Sequence, residues 1–231
     1  MPSRKKTLHF LSSALVTSVS VGILGYAMST TWAAATMDCA PSGNVLFNGT
    51  AVIEFKLFNG SWNRINCPFF GRDEKFQVFP ELAKVGGAPI VLHSLSVGLL
   101  VLCLLFSAVS ILISLYNSVS NPYETYMGPV GFYASSSLSA CLSLLVIMLF
   151  VVNINVTDMA EDLVKKFSQD NPVDLRNKSA EMQIGYYLVI PYMVLSLLSI
   201  ALIYMYEHAA YTHKKEQQRP TEDAPKEIMM Y

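Results

Sequence analysis

Side chains that could do chemistry are few in this sequence, and their spacing matches no familiar catalytic or metal-binding arrangement. There are four histidines and four cysteines, and no C-x-x-C pair of the zinc or redox type occurs. The many serines lack the histidine and aspartate partners that a catalytic triad needs. We interpret His93, near the start of a long apolar run, as a hydrogen-bonded interfacial side chain rather than a proton relay. We therefore predict no catalytic residue, metal ligand or cofactor.

The four cysteines divide into two pairs with different surroundings. Cys39 and Cys67 lie in one polar segment between two apolar runs. We predict that they form a disulfide, which would persist in an oxidising compartment. Cys103 and Cys141 fall inside apolar runs. There we favour packed, inert thiols over acylation sites.

Four N-glycosylation sequons are present, and all lie in the two longer polar segments. Such sequons matter only on the lumenal or extracellular side of a membrane. Some sequons arise by chance. One of the four, at Asn155, lies close to an apolar run. We predict four glycosylation sites, at Asn48, Asn59, Asn155 and Asn177.

The elements that carry these residues are predicted from composition and from the apolar runs. Of 231 residues, 52% are apolar and 14% charged, against about 25% charged in soluble domains. A helix needs roughly 20 apolar residues to cross a bilayer, and four uncharged runs are long enough. We expect a membrane all-α four-helix bundle with a small extracellular β-sheet in the first loop. The predicted segments are 1–7 cytosolic, 8–28 spanning, 29–89 extracellular, 90–116 spanning, 117–129 cytosolic, 130–152 spanning, 153–183 extracellular, 184–206 spanning and 207–231 cytosolic.

Sidedness follows from the first span and from the sequons. Arg4, Lys5 and Lys6 immediately precede the first run, and basic residues near short-loop ends favour the cytosol. The sequons place the two longer loops outside. A cleaved signal peptide is the alternative for the first run, because Ala33-Ala34-Ala35 could be cut; the run is longer than a usual signal core. We expect cytosolic termini and a plasma-membrane location.

The first long loop is predicted to fold. Residues 53–57 alternate apolar and polar, as in a half-buried strand, and Asn59-Gly60 follows as a hairpin signal. Residues 76–79 could supply another strand.

The second long loop begins with helical spacing at Met159, Leu163 and Phe167. Asp158 and Glu161 resemble a capping box. We predict that this helix continues the third span to Asn171-Pro172 and packs its apolar stripe against the sheet; a stripe free for a partner is the alternative.

Helix packing in the bundle is predicted from small residues and one proline. Ala14, Ser18 and Gly22 share a face of the first span, and Ser135, Ser139 and Ser143 share a face of the third. Small residues let helices approach closely in lipid; we favour packing within the bundle, with self-association as the alternative. Pro191 is expected to kink the fourth span.

The tail after residue 206 is polar and ends in an apolar tetrapeptide. Met229 and Tyr231 are two residues apart at the terminus. A domain that binds a carboxyl terminus as an added strand at a sheet edge recognises alternate side chains, which have this spacing. The tail therefore predicts a cytosolic PDZ scaffold as a partner, although such endings also arise by chance. The net charge of −1 gives no basic footprint for nucleic acid.

Several motifs along nearly the whole chain resemble the clarins, small tetraspan proteins of the wider claudin-like group. They include Trp32 with Cys39, the heptapeptide FQVFPEL at 76–82, NPYETYMGPVGFY at 121–133 and the terminal Met230-Tyr231. Within the family, the sequon-rich loops and the tail EQQRPTEDAP are most similar to the third paralogue. The resemblance implies a glycosylated plasma-membrane organiser. Clarins are linked to sensory hair cells, photoreceptors and actin-rich protrusions.

These observations lead to one preferred function and two alternatives. We expect a non-enzymatic organiser, adaptor or auxiliary subunit that lies in the lipid bilayer and contacts a membrane-protein partner through its extracellular loops. Claudin-like adhesion at cell junctions is the first alternative. A channel or transporter is the second.

Overall fold

The computed structural model describes residues 4–43, 47–67, 74–119, 128–168 and 173–217. Long helices dominate, and the strands lie together at one end. In chain order the elements are α1 (Arg4–Ser29), β1 (Ala33–Pro41), β2 (Gly49–Phe55), β3 (Asn59–Ile65), β4 (Glu74–Gln77), α2 (Val78–Val85), α3 (Gly87–Val119), α4 (Pro129–Val156), α5 (Met159–Phe167), β5 (Val173–Met182), α6 (Ile184–Tyr187) and α7 (Val189–Gln217).

Four segments of the described residues are long and apolar enough to cross a membrane. They are Lys6–Ser29, Gly87–Val119, Pro129–Val156 and Ile184–Thr212. At 1.5 Å per residue, even the shortest exceeds the hydrocarbon thickness of about 30 Å. The protein is thus a multi-pass membrane protein, and the predicted bundle with a small sheet is confirmed. We call the end that carries the strands the sheet end.

Hydroxyl groups join the helices inside the bundle. Ser110 Oγ lies 2.6 Å from Ser135 Oγ and accepts from Ser136 Oγ at 2.9 Å. Between α3 and α7, Ser107 Oγ lies 2.8 Å from the Tyr192 hydroxyl. Lipid offers no water to satisfy such groups, so the hydroxyls pair across the helix interfaces.

Small residues take part in this packing on one of the two helices where it was predicted. Ser135, Ser139 and Ser143 are buried on α4, which confirms that prediction. On α1, Ala14 is buried but Ser18 and Gly22 are exposed. The prediction for α1 was wrong because its packed face runs instead along Ser13, Thr17, Ser20, Leu24 and Ala27.

The strands form one antiparallel sheet in the order β4-β3-β2-β1-β5. Four strands come from the first long loop, where a small sheet was predicted; β2 and β4 overlap the strands predicted at 53–57 and 76–79. The fifth comes from the second loop and was not predicted. Because β1 follows α1 directly, the row of Ala33, Phe55 and Met182 lies next to the bundle. The row of Cys39 and Gly49 lies at the far end of the sheet.

The β2–β3 hairpin exists, but its turn is not where Asn59-Gly60 indicated. Phe55 pairs with Gly60, and Lys56 N donates to Asn59 O at 2.9 Å, so Leu57 and Phe58 form the turn. Gly60 lies within β3, where a Cβ would stand 2.3 Å from Cζ of Phe76. The glycine serves a close packing contact, not the turn. The predicted strand at 76–79 ends at Gln77, and α2 begins at Val78.

The helix predicted to continue the third span is interrupted. Asp158 adopts a left-handed backbone with φ 51°, which separates α4 from α5. Its side chain makes no capping hydrogen bond; Lys178 Nζ lies 3.5 Å away. The predicted capping box was therefore wrong. Helix α5 ends at Phe167, and Asn171-Pro172 lies outside the described residues.

Pro191 affects the helix a few residues before its own position. Its ring cannot donate to the carbonyl four residues earlier and crowds it. The helix is correspondingly irregular at Leu188, between α6 and α7, where the backbone stays right-handed.

Candidate functional site

Trp32 fixes the sheet to the bundle at the junction of α1 and β1. Its backbone N–H donates to Phe55 O at 2.7 Å, and its own carbonyl accepts from Gln183 N at 2.8 Å. The indole Nε1 donates to Ala27 O at 2.8 Å, and the ring meets Phe150 edge-on at 5.0 Å. One fully buried residue therefore ties three chain segments to α4.

The β2–β3 turn is fixed to α3 by His93. This histidine is fully buried, and its Nε2 donates to Leu57 O at 2.8 Å. The Phe79 ring packs edge-on against the imidazole at 5.1 Å. The predicted hydrogen bond is confirmed for Nε2; Nδ1 has no partner within the described part of the chain.

The inner face of the sheet packs on α5. Phe167 stacks on Trp62 at 5.0 Å and contacts Phe76 at 5.1 Å. Met159 and Leu163 are buried in the same core. The prediction that this apolar stripe packs against the sheet is confirmed, so the inner face is closed.

Glu81 joins α2 to α5 at the side of the sheet. Its carboxylate lies 2.7 Å from Lys84 Nζ and 3.5 Å from Lys166 Nζ. Lys166 Nζ also donates to the Glu81 carbonyl at 3.2 Å. The hydrogen bond from Lys84 holds the pKa of Glu81 below its usual value.

The cysteines occupy two kinds of site. Cys39 and Cys67 form a disulfide that joins the far end of β1 to the segment after β3. Cys103 is buried, and its thiol donates to Ser139 O at 3.5 Å. Cys141 is exposed on the bundle surface. The expectation of a packed thiol was therefore wrong for Cys141, because its helix turns that position away from the neighbouring helices.

The outer face of the sheet remains open and carries a groove of about 500 Å³. Its rim bears both signs of charge, and Ser61 Oγ donates to the Glu54 carboxylate at 3.4 Å. A groove with fixed charges can orient a polar partner surface. It is lined by Glu54, Lys56, Asn59, Gly60, Ser61, Lys75, Phe76 and Gln77.

Two of the four predicted glycosylation sites lie towards the far end of the sheet, and the other two lie close to the bundle. Asn48 is exposed beside Gly49, at the far end of the sheet. Asn177 has φ 49° in β5, and its Nδ2 donates to Asp38 Oδ2 at 2.8 Å, also towards the far end. Asn59 is exposed at the β2–β3 turn, and Asn155 in the last turn of α4. Met229 and Tyr231 lie outside the described residues.

Comparisons with known proteins agree on one family. Residues 4–175 match the family model described as Clarin-2-like. Clarin-3 of Mus musculus is 32% identical over 235 residues, and Clarin-3 of Homo sapiens is 31% identical, with both chains covered completely in each case. The chain belongs to the clarin family. Clarin-1 of Homo sapiens is 27% identical over 178 residues, covering 71% of this chain and 72% of its own.

Family membership confirms the resemblance seen in the sequence, but two structural features of this clarin had no clear sequence signal. Strand β5 has exposed side chains along most of its length, so it lacks the alternation that marks a half-buried strand. Strand β1 is rich in alanine, which has low strand propensity. Strand β1 pairs with β2 on one side and with β5 on the other, and β5 pairs with β1.

Proposed function

We propose that this clarin is a non-enzymatic organiser or auxiliary subunit, which presents its sheet to the external part of a membrane-protein partner. One observation carries the proposal. The inner face of the sheet is closed by the bundle and α5, whereas the outer face leaves a charged groove open. The disulfide, Trp32 and His93 hold the sheet in one orientation. A rigid recognition surface loses little conformational entropy when it binds.

Charge reversal in the groove tests this function. Extracellular proximity labelling in native cells would identify neighbours of the wild type, of Glu54→Lys and of Lys75→Glu. Glu181→Lys is the matched control, because Glu181 is also exposed and lies in the same sheet row on the opposite edge strand. We expect both groove variants to lose a shared neighbour that the control keeps. An unchanged set of neighbours would refute the groove as the contact surface.

Claudin-like adhesion would give a different result. In a mixture of expressing and non-expressing cells, the distribution of an organiser in the membrane should not depend on whether the neighbouring cell expresses it. Enrichment only at borders between two expressing cells would show contact between cells and would replace the proposed function.

We also propose a plasma-membrane location, with the sheet outside and both termini in the cytosol. The disulfide at the sheet end supports this orientation, since disulfides persist in oxidising compartments. The basic residues at 4–6 support it from the opposite end. An epitope placed within 117–129 should be reached by antibody only after permeabilisation. Staining of intact cells would reverse the orientation.

Glycosylation is proposed for the two sequons far from the bundle, Asn48 and Asn177. Both asparagines are exposed at a height that leaves room for a sugar. Each Asn→Gln variant should migrate faster in gel electrophoresis, and deglycosylation should remove the difference. If neither variant shifts, the sites are unmodified. Asn59 and Asn155 remain sequence predictions, and their closeness to the bundle argues against modification.

The tail is proposed to bind a cytosolic PDZ domain through Met229 and Tyr231. In an added strand, alternate side chains point the same way, so Met230 would face away from the domain. Deleting the last three residues, or substituting Tyr231→Ala, should abolish recovery of the scaffold. Met230→Ala should leave it unchanged. Undiminished recovery after the deletion would remove the tail from the mechanism.

A further inference from the structure

The β2–β3 turn, residues Lys56 to Asn59, points towards the membrane-spanning part of the molecule. Strand β1 leads away from the end of α1, and β2 is antiparallel to β1, so β2 returns towards the bundle. The turn follows the row of Ala33 and Phe55, the row nearest the helices. The turn therefore lies on the bundle side of the sheet, beyond its last paired row.

The depth of the turn is set by its contact with α3. Leu57 O accepts the hydrogen bond of His93 Nε2 at 2.8 Å. His93 is the seventh residue of α3, within the span Gly87–Val119. Val91 and Leu95, on either side of it in the chain, are 63% and 47% exposed. The turn thus reaches the depth at which α3 already presents apolar side chains to lipid.

Phe58 is exposed at this depth. Its side chain is 48% exposed, although its ring contacts Phe79 at 6.2 Å. Among the described residues, Phe58 and Ile65 are the exposed large apolar side chains outside the four spans. Folding buries the neighbouring Leu57 and Phe55 but leaves about half of the Phe58 side chain exposed.

The residues beside Phe58 suit a bilayer interface. Lys56 and Asn59 are exposed on either side of the Leu57-Phe58 turn. A lysine can place its ammonium group among lipid phosphates while its stem follows apolar surface. Aromatic rings are enriched at the same level of the bilayer. This combination, continuous with the lipid-facing side of α3, favours lipid over a protein as the occupant.

We propose that the β2–β3 turn inserts into the leaflet next to the sheet, with Phe58 at the boundary between headgroups and acyl chains. Lys56 and Asn59 then lie among the headgroups. The sheet is then held to the bilayer as well as to the helices, through a turn whose Lys56 and Asn59 also line the groove. A sugar on Asn59 would prevent this arrangement, so insertion requires an unmodified Asn59.

Tryptophan fluorescence with brominated lipids tests the insertion. Phe58→Trp is compared with wild type in nanodiscs whose lipids carry bromine near the headgroup end of the acyl chains. Ile65→Trp is the matched control, because Ile65 is similarly exposed, at 52%, at the opposite end of β3. We expect the emission added by Phe58→Trp to be blue-shifted and mostly quenched, and that added by Ile65→Trp to be neither. Equal quenching of the two would overturn the proposal, as would quenching of neither.

A measurement on the unaltered chain covers the case in which Phe58→Trp does not fold. Lipids with a photoreactive diazirine near the headgroup should crosslink to the peptide containing residues 56–59 of the wild-type protein in nanodiscs. Crosslinking confined to the four spans would refute insertion. A mobility shift of Asn59→Gln that deglycosylation removes would refute it too. If the peptide containing residues 56–59 crosslinks in native membranes to a protein and not to lipid, the turn makes a protein contact instead.

Discussion

Gly185 lies directly against the indole ring of Trp32. A Cβ at position 185 would stand 2.6 Å from Cδ1 and 2.8 Å from Nε1 of Trp32. The Gly185 N–H also donates to Thr31 O at 2.9 Å. The start of the last span is therefore fitted to the residue that anchors the sheet.

Gly185→Ala should destabilise the protein, because neither the backbone nor the fully buried indole can move without breaking its hydrogen bonds. Overpacking of this kind costs about 1–3 kcal/mol. The thermal unfolding midpoint in detergent should fall clearly below that of the wild type. Gly98→Ala is the control, since nothing lies within 4 Å of a Cβ there. Equal midpoints for Gly185→Ala and wild type would show that the contact between residue 185 and Trp32 has room for a methyl group.

Removing the Cys39–Cys67 disulfide should lower stability by about 3–4 kcal/mol, the scale for a loop of this length in the chain-entropy account. The sequence separation is 28 residues. Cys39→Ala with Cys67→Ala should unfold at a lower temperature than the wild type. Cys141→Ser should match the wild type, because that thiol is exposed and unbridged. Peptide mapping without reductant should recover the linked pair from Cys141→Ser.

The spans were predictable because a single physical requirement defines them. A backbone in lipid must satisfy its own polar groups, so uncharged runs of sufficient length become helices. The amphipathic stripe of α5 was equally visible, since Met159, Leu163 and Phe167 repeat at helical spacing and are packed on the core or the sheet.

The errors arose where a residue type serves more than one purpose. Asn-Gly usually marks a hairpin turn, but Gly60 makes room for the Phe76 ring and the turn lies two residues earlier. Asp158 followed by Glu161 suggests a cap, yet both carboxylates pair with Lys178 of β5, the element that follows α5. Partners of this kind become visible only once the fold is known.

The groove was not predictable for a similar reason. Glu54, Ser61 and Lys75 belong to three strands whose register is set by pairing. The sequence gives alternation within a strand but not the alignment between strands.

Tyr192→Phe should weaken the contact between α3 and α7. The Tyr192 hydroxyl lies 2.8 Å from Ser107 Oγ and donates to Cys103 O at 3.2 Å. Hydrogen bonds between helices in lipid are worth about 0.6 kcal/mol on average, with a maximum near 1.7. Denaturation in mixed detergent micelles should show a loss of that size. Tyr187→Phe, at a 54% exposed tyrosine, should show none; equal losses would mean that the hydroxyl of Tyr192 is not the cause.

Glu81→Gln should lower stability at neutral pH but not in acid. In the folded protein, the hydrogen bond from Lys84 lowers the pKa of Glu81 below its ordinary value of 4.5. A group with a lowered folded-state pKa stabilises the fold above its unfolded-state pKa, and the effect disappears as the pH falls through the folded-state pKa. Because the pair is partly exposed, the advantage of wild type at pH 7 should be about 1 kcal/mol or less.

Unfolding midpoints of both proteins, measured at neutral pH and in acid below the lowered pKa, should differ at neutral pH and converge in acid. Glu74→Gln, whose carboxylate is 57% exposed beside Arg64, should show a smaller difference. A Glu81→Gln effect that persists unchanged in acid would mean that packing, not charge, holds α2 against α5.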